Sequence, residues 1–314
     1  VVASLVVAGL MSPWIYQGGK YLGERALAGE VTGILKWLGD AAWRSEFPRF
    51  FNRALMLAAL LLLPVLFRRI RVLRREAGSL PLIDSPTKLP WKRRLMLGLA
   101  GFVIAAGMLW ILGISLEFAG AFEPRDSAPG FGKFVRKAVL PAVGASLLEE
   151  WLFRGLLLGL WLRFARPLAA CVGCSLLFAF VHFLEPPDGV TLANPAAADA
   201  GFRLIGQILW NFTDPRFFTG DFLTLFVVGL ILAFTKIRTG SLAFPIGLHA
   251  GWIIAFKGFN LLYDDTVGSA LRPWGVGDSL RSGLLPLLTL ALTGLLCHLV
   301  LRSSGAIRKF SGPL

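Results

Sequence analysis

The sequence predicts an all-α fold: a polytopic transmembrane helical bundle of about eight spans, with an interfacial amphipathic helix after the first. Three observations predict it. Of the 314 residues, 55% are hydrophobic and only 16% are charged, so the composition fits a bilayer better than water as the solvent. Apolar runs long enough to span a membrane recur along the chain, separated by short segments rich in Gly, Pro and charge. The formal charge of +13 is concentrated beside those runs, in Arg68, Arg69, Arg71, Arg74 and Arg75 and again in Lys92, Arg93 and Arg94. The positive-inside rule places basic residues there, which argues against nucleic acid as a partner.

Residues 1–16 are apolar without a basic leader and read as a membrane helix, with a signal-segment remnant as the alternative. Residues 18–50 mix charges with Leu, Ile and Trp, as in Ile34, Leu35, Lys36, Trp37 and Leu38. That is the pattern of a helix lying in the interface. Residues 53–67 form the next span, Leu-rich and closed by Arg68 and Arg69, and residues 95–116 the third. Between them Gly78, Pro81, Pro86 and Pro90 break a basic connection over residues 70–94.

A mixed-charge loop with Glu123, Pro124, Arg125, Asp126 and Gly130 leads into the central span, residues 134–162. Residues 163–167 make a tight polar turn, residues 168–184 form the fifth span, and residues 185–189 (Glu-Pro-Pro-Asp-Gly) stop it. Residues 190–218 are less apolar; Asn211, Phe212 and Thr213 there match a glycosylation sequon, a match too short to carry an argument. The last three spans cover residues 221–234, 241–263 and 284–301. Cys171, Cys174 and Cys297 all fall inside spans, so no disulfide framework is expected. By domain, this gives N-terminal membrane helices over residues 1–94, a core over 95–301 and a short basic tail over 302–314.

The central span contains Glu149, Glu150 and Arg154 near its middle. Ionisable residues there cost about 2.5–3.5 kcal/mol each to insert, and they usually face a protein interior or a wet cavity. Glu150 and Arg154 are spaced to neutralise each other on one helical face. Glu149, turned about 100° away, needs a partner from another helix. If the central and fifth spans form a hairpin, Glu149 and His182 both lie roughly 21–23 Å from its turn and so at the same depth. His249 lies roughly 17 Å into its own span, within a turn of that level. Gly247 and Gly251 flank it in a small-xxx-small pattern that permits close helix approach, and Gly155 and Gly159 repeat the spacing after the carboxylates. His298, near the end of the last span beside Arg302, reads as structural.

A carboxylate beside two imidazoles has two uses. It can act as a general base that takes a proton from water, one histidine orienting it and the other donating to a developing oxyanion. Alternatively Glu149, His182 and His249 together make a zinc ligand set.

Glu149-Glu150 with Arg154, Phe178 with His182, and His249-Ala250 resemble the three signature motifs of the CPBP intramembrane endopeptidases, the family of the CAAX prenyl endopeptidases and their bacterial relatives. The resemblance covers roughly residues 95–300 with the motifs in the family's order. It implies an all-helical membrane protease of the glutamate type, multi-pass in the bacterial inner membrane, that cleaves a membrane-associated peptide or protein. By the same resemblance Glu149 and His182 activate water and His249 supplies the oxyanion hole, supported by Glu150, Arg154 and Phe178. No cofactor is implied, and none of the motifs is the His-Glu-x-x-His helix of a zinc protease. The chain departs from the family at Ile253, where an Asn or Asp commonly stands four residues after the histidine. Trp252 or a backbone N–H is then the candidate second donor. The competing class is a catalytically weak or inactive membrane scaffold, or a proton-coupled carrier using the same residues. The basic connection between Arg68 and Arg94 is expected on the cytoplasmic side.

Overall fold

With no water to satisfy backbone N–H and C=O groups in a bilayer, apolar runs of this kind close their hydrogen bonds internally and become helices. The computed structural model describes residues 2–76, 89–184, 186, 190–213, 222–266, 268–271, 275–277 and 279–303. Ten helices and two short strands account for most of them. The chain divides into two compact units, residues 1–78 with 181–217, and residues 79–180 with 218–314.

The first unit contains α1 (Val2–Leu27), α2 (Gly33–Trp43), α3 (Phe47–Glu76) and α7 (Ala200–Asn211). Small residues let α1 accept the other three. A Cβ on Gly201 of α7 would meet the Gly9 carbonyl oxygen, and one on Gly39 of α2 would lie 2.7 Å from the Leu22 carbonyl oxygen. Lys20 ties the α2–α3 turn to α1 by donating to the carbonyls of Trp43 (2.7 Å) and Ser45 (2.9 Å). Buried Ala200, Leu204 and Ile208 repeat every fourth residue on α7, so that helix is amphipathic.

The second unit contains α4 (Trp91–Phe118), β1 (Phe122–Pro124), the long helix α5 (residues 131–161), α6 (Pro167–His182) as far as residue 180, α8 (Leu223–Thr239), α9 (Ala243–Leu262), β2 (Tyr263–Asp265) and α10 (Leu284–Ser303). The tightest approach is between α4 and α9. A Cβ on Gly247 would meet Gly98 backbone, one on Gly251 would come within 2.6 Å of the Phe102 carbonyl oxygen, and one on Gly101 within 2.5 Å of the Phe244 carbonyl oxygen. Around this seam Leu109, Leu112, Phe122, Leu248, Trp252 and Phe259 form the core. At one end β1 pairs antiparallel with β2, Phe122 opposite Asp265, and Arg125 Nη2 meets Asp264 Oδ1 at 2.6 Å. Burial, and then a hydrogen bond and the charge of Glu117, push the Tyr263 hydroxyl above its usual range.

Several expectations are revised. Among the described residues two helices, Trp91–Phe118 and Leu284–Arg302, are long and apolar enough to cross a membrane, and Pro167–His182 is apolar but shorter. The expected spans in α1 and α9 are helical but less apolar, interrupted by Pro13 and Gln17 in the first and by Pro245, His249, Lys257 and Asn260 in the second. Residues 18–27 continue α1, so the amphipathic interfacial helix is the shorter α2, with Ile34, Leu35, Trp37 and Leu38 exposed. Arg68 and Arg69 do not close α3, which runs on to Glu76. Arginine ends an apolar run without ending a helix, because its helix propensity is high. The purely helical expectation missed the β1–β2 pair, which is only three residues a side. The breakers Gly78, Pro81 and Pro86, the stop residues Glu185, Pro187, Asp188 and Gly189, and residues 304–314 of the tail lie outside the described residues.

Candidate active site

Glu149 closes an α-helical stretch of α5, and Glu150 opens a wider π-helical one that runs to Leu157. Insertions of this kind recur at functional sites. Here the switch falls between the two carboxylates and leaves them in different surroundings. The Glu150 side chain is 0% exposed, and that of Glu149 is 27% exposed.

Arg154 Nη1 donates to Glu150 Oε1 at 2.8 Å within the buried pair, and Nη2 donates to the carbonyl of Gly229 on α8 at 3.3 Å. The guanidinium lies over the Phe178 ring of α6, 4.3 Å from its centroid. A desolvated cation over an aromatic face is worth about 2 kcal/mol. Phe153 meets Phe178 edge to face at 5.1 Å, completing an aromatic floor under the charge. Phe153 also accepts at its carbonyl from Cys174 Sγ at 3.4 Å.

His249 enters from α9. Its Nδ1 lies 3.0 Å from Glu150 Oε1, the oxygen that also receives Arg154. A carboxylate only accepts, so Nδ1 carries the proton and Nε2 is the nitrogen left to act elsewhere. That nitrogen is 3.8 Å from Glu149 Oε2. Phe178 stands edge-on to the imidazole, 6.0 Å between ring centroids. The second unit therefore gathers Glu149, Glu150, Arg154, Phe178 and His249. Among the described residues no group of three or more His, Cys, Asp or Glu is arranged to hold a metal ion.

The remaining expected residues are placed differently. His182, expected at the depth of Glu149 near the end of its span, is the last residue of α6, four after Phe178, and is grouped with the first unit. The helix stops ahead of the Pro186–Pro187 pair, which disfavours helix in the residue before it. Trp252 is 7% exposed within the core cluster. The Phe234 ring lies 6.0 Å from the His298 ring, a packing contact. A Cβ on Gly159 would meet nothing within 4 Å, so helices do not converge there, whereas one on Gly155 would lie 3.4 Å from the Leu242 side chain. Sequence reasoning missed the bond from Nδ1 of His249 to Glu150, the Gly229 carbonyl and Phe153. Phe153 lies inside the central motif, and Gly229 has no sequence signal at all.

Residues 132–255 match the family model described as type II CAAX prenyl endopeptidase Rce1-like. All the site residues above fall within that stretch, and the recognition of a CPBP-type, CAAX-protease-like segment holds over it. The family is one of integral membrane proteases. No curated protein and no solved structure matches the chain significantly.

Proposed function

From the CAAX-protease-like character of residues 132–255, we propose that this protein is a glutamate-type intramembrane endopeptidase. It hydrolyses a peptide bond of a membrane-associated protein or peptide, from within a helical bundle of about eight spans in the bacterial inner membrane. Glu149 is the general base, and the resemblance to the family assigns His182 of the second motif to the same step. Glu149 takes a proton from water, the water oxygen attacks the scissile carbonyl carbon, and the proton passes to the leaving amine as the C–N bond breaks. His249 donates to the oxyanion through Nε2. With Nδ1–H engaged by Glu150, a donor at Nε2 requires the imidazolium, and the two carboxylates flanking the ring are its counter-charges. Glu150 and Arg154 position His249 and do not touch the reacting atoms, and no metal takes part.

The observation that carries this reading is the asymmetry of the two glutamates: Glu150 is fully buried on Arg154 and His249 Nδ1, and Glu149 is partly accessible beside Nε2. Two like groups whose surroundings differ this way can divide acid–base from positioning roles. Glu149→Gln in reconstituted vesicles, assayed on candidate membrane-anchored peptides, should lower turnover about 10²–10⁴-fold. Undiminished cleavage by a folded variant would remove Glu149 from the chemistry. A second reading, a weakly active or inert scaffold, is favoured by one residue: Ile253, four positions after His249, has no polar atom to offer an oxyanion.

A further inference from the structure

At one end of the second unit, an open groove of about 560 Å³ lies between the start of α4, the start of α9 and the end of α10. Leu97, Ala100, Phe244, Val300 and Leu301 make its apolar wall, and Lys92 and Arg93 stand at its mouth with Pro90. Lys92 to Ala100 spans roughly 12 Å of helix, about two turns. Trp91, 69% exposed beside the two cations, is the residue type that settles at headgroup level. The groove therefore runs from that level down into the hydrocarbon.

Among the described residues, charge at this end is of one sign. Arg94 follows on α4, Lys236 and Arg238 end α8, and Arg302 lies in the last turn of α10. No Asp or Glu occurs in residues 89–105, 235–250 or 296–303. No side chain caps the first turn of α4, so the N–H groups of Trp91, Lys92 and Arg93 also point out of that helix end. An apolar trough two turns long opening under paired cations suits a ligand with an anionic head and a hydrocarbon chain. A soluble anion leaves the trough empty, and a zwitterionic lipid brings its own cation to a site without a carboxylate to receive it.

We propose that this groove binds an anionic glycerophospholipid from the bilayer, with the phosphate on Lys92 and Arg93 and one acyl chain along Leu97, Ala100 and Phe244. Basic pockets between membrane helices on the cytoplasmic side hold such headgroups in general. The proposal uses the membrane placement of α4 and α10 and not the hydrolytic reading, so a proteolytically inert chain binds the lipid equally well.

Native mass spectrometry of the purified full chain, stripped of lipid and offered phosphatidylglycerol or phosphatidylcholine, tests it. The wild-type protein should retain phosphatidylglycerol preferentially. Each cation near an anionic headgroup is worth roughly fivefold, so Lys92→Gln with Arg93→Gln should weaken retention about twenty-five-fold. Ala100→Phe, which fills the trough and leaves both cations, should also release the lipid, whereas Glu149→Gln should not. Equal retention of the two lipids, or undiminished retention by the double variant, overturns the proposal. Displacement by glycerol 3-phosphate as effective as by phosphatidylglycerol would reduce the site to a phosphate site. Preferential displacement by a prenylated peptide would make it part of a substrate path.

Discussion

Adjacent in sequence and identical in chemistry, Glu149 and Glu150 are separated by what each one faces. Glu150 is enclosed with Arg154 and shares its Oε1 with His249. A buried ion pair stabilises little relative to an apolar pair of the same shape, yet removing one member strands the other. Glu150→Gln and Arg154→Met should therefore each lower stability by about 3–5 kcal/mol, and the double variant by clearly less than their sum. Thermal unfolding of the three variants in detergent measures this, and additive losses would mean that the pair is not coupled. The pairing of Glu150 with Arg154 was legible from spacing alone. The bond from His249 to Glu150 was not, because depth along a helix locates a residue to within a turn and cannot say which of two neighbouring carboxylates a ring nitrogen meets.

At the scale of helices, two small-xxx-small patterns looked equivalent in sequence and are not. Gly247 and Gly251 are pressed against α4 backbone, and Gly159 faces open space. Gly247→Ala should cost about 1–3 kcal/mol through overpacking, and Gly159→Ala should be neutral or stabilise by up to about 1 kcal/mol, as alanine does in a helix. Comparing their melting temperatures with wild type checks both, and equal losses would mean that α4 and α9 are not in close contact. Sequence gave the order and approximate limits of the helices because apolar runs dictate them. The π-helical stretch after Glu149 escaped, since an apolar periodicity counted at 3.6 residues per turn carries no mark of a wider turn. The β1–β2 pair escaped because three residues are too few to show alternation.

Across the second unit as a whole, charge is distributed unequally between the ends of the helices. Among the described residues, Lys92, Arg93, Arg94, Lys236, Arg238 and Arg302 lie at one end without a carboxylate, and Glu117, Glu123, Asp126, Asp264 and Asp265 lie at the other, mixed with Arg125, Lys133, Arg136 and Lys137. By the positive-inside rule the first end is expected to face the cytoplasm. The three native cysteines are buried, so introduced ones can report. In intact expressing cells, Ser127→Cys should react with a membrane-impermeant maleimide, and Ala165→Cys, in the turn after α5, should react only after permeabilisation. The reverse pattern would invert the orientation.

One contact sets how such a protein can move. The Trp161 indole at the end of α5 sits over Gly173 of α6, where even a methyl group would collide with it. The two rods thereby meet closely at this point, like a bolt in its keep. Under the proposed function, a polypeptide is then expected to reach Glu149 by movement of another helix, with this hairpin as the fixed jamb.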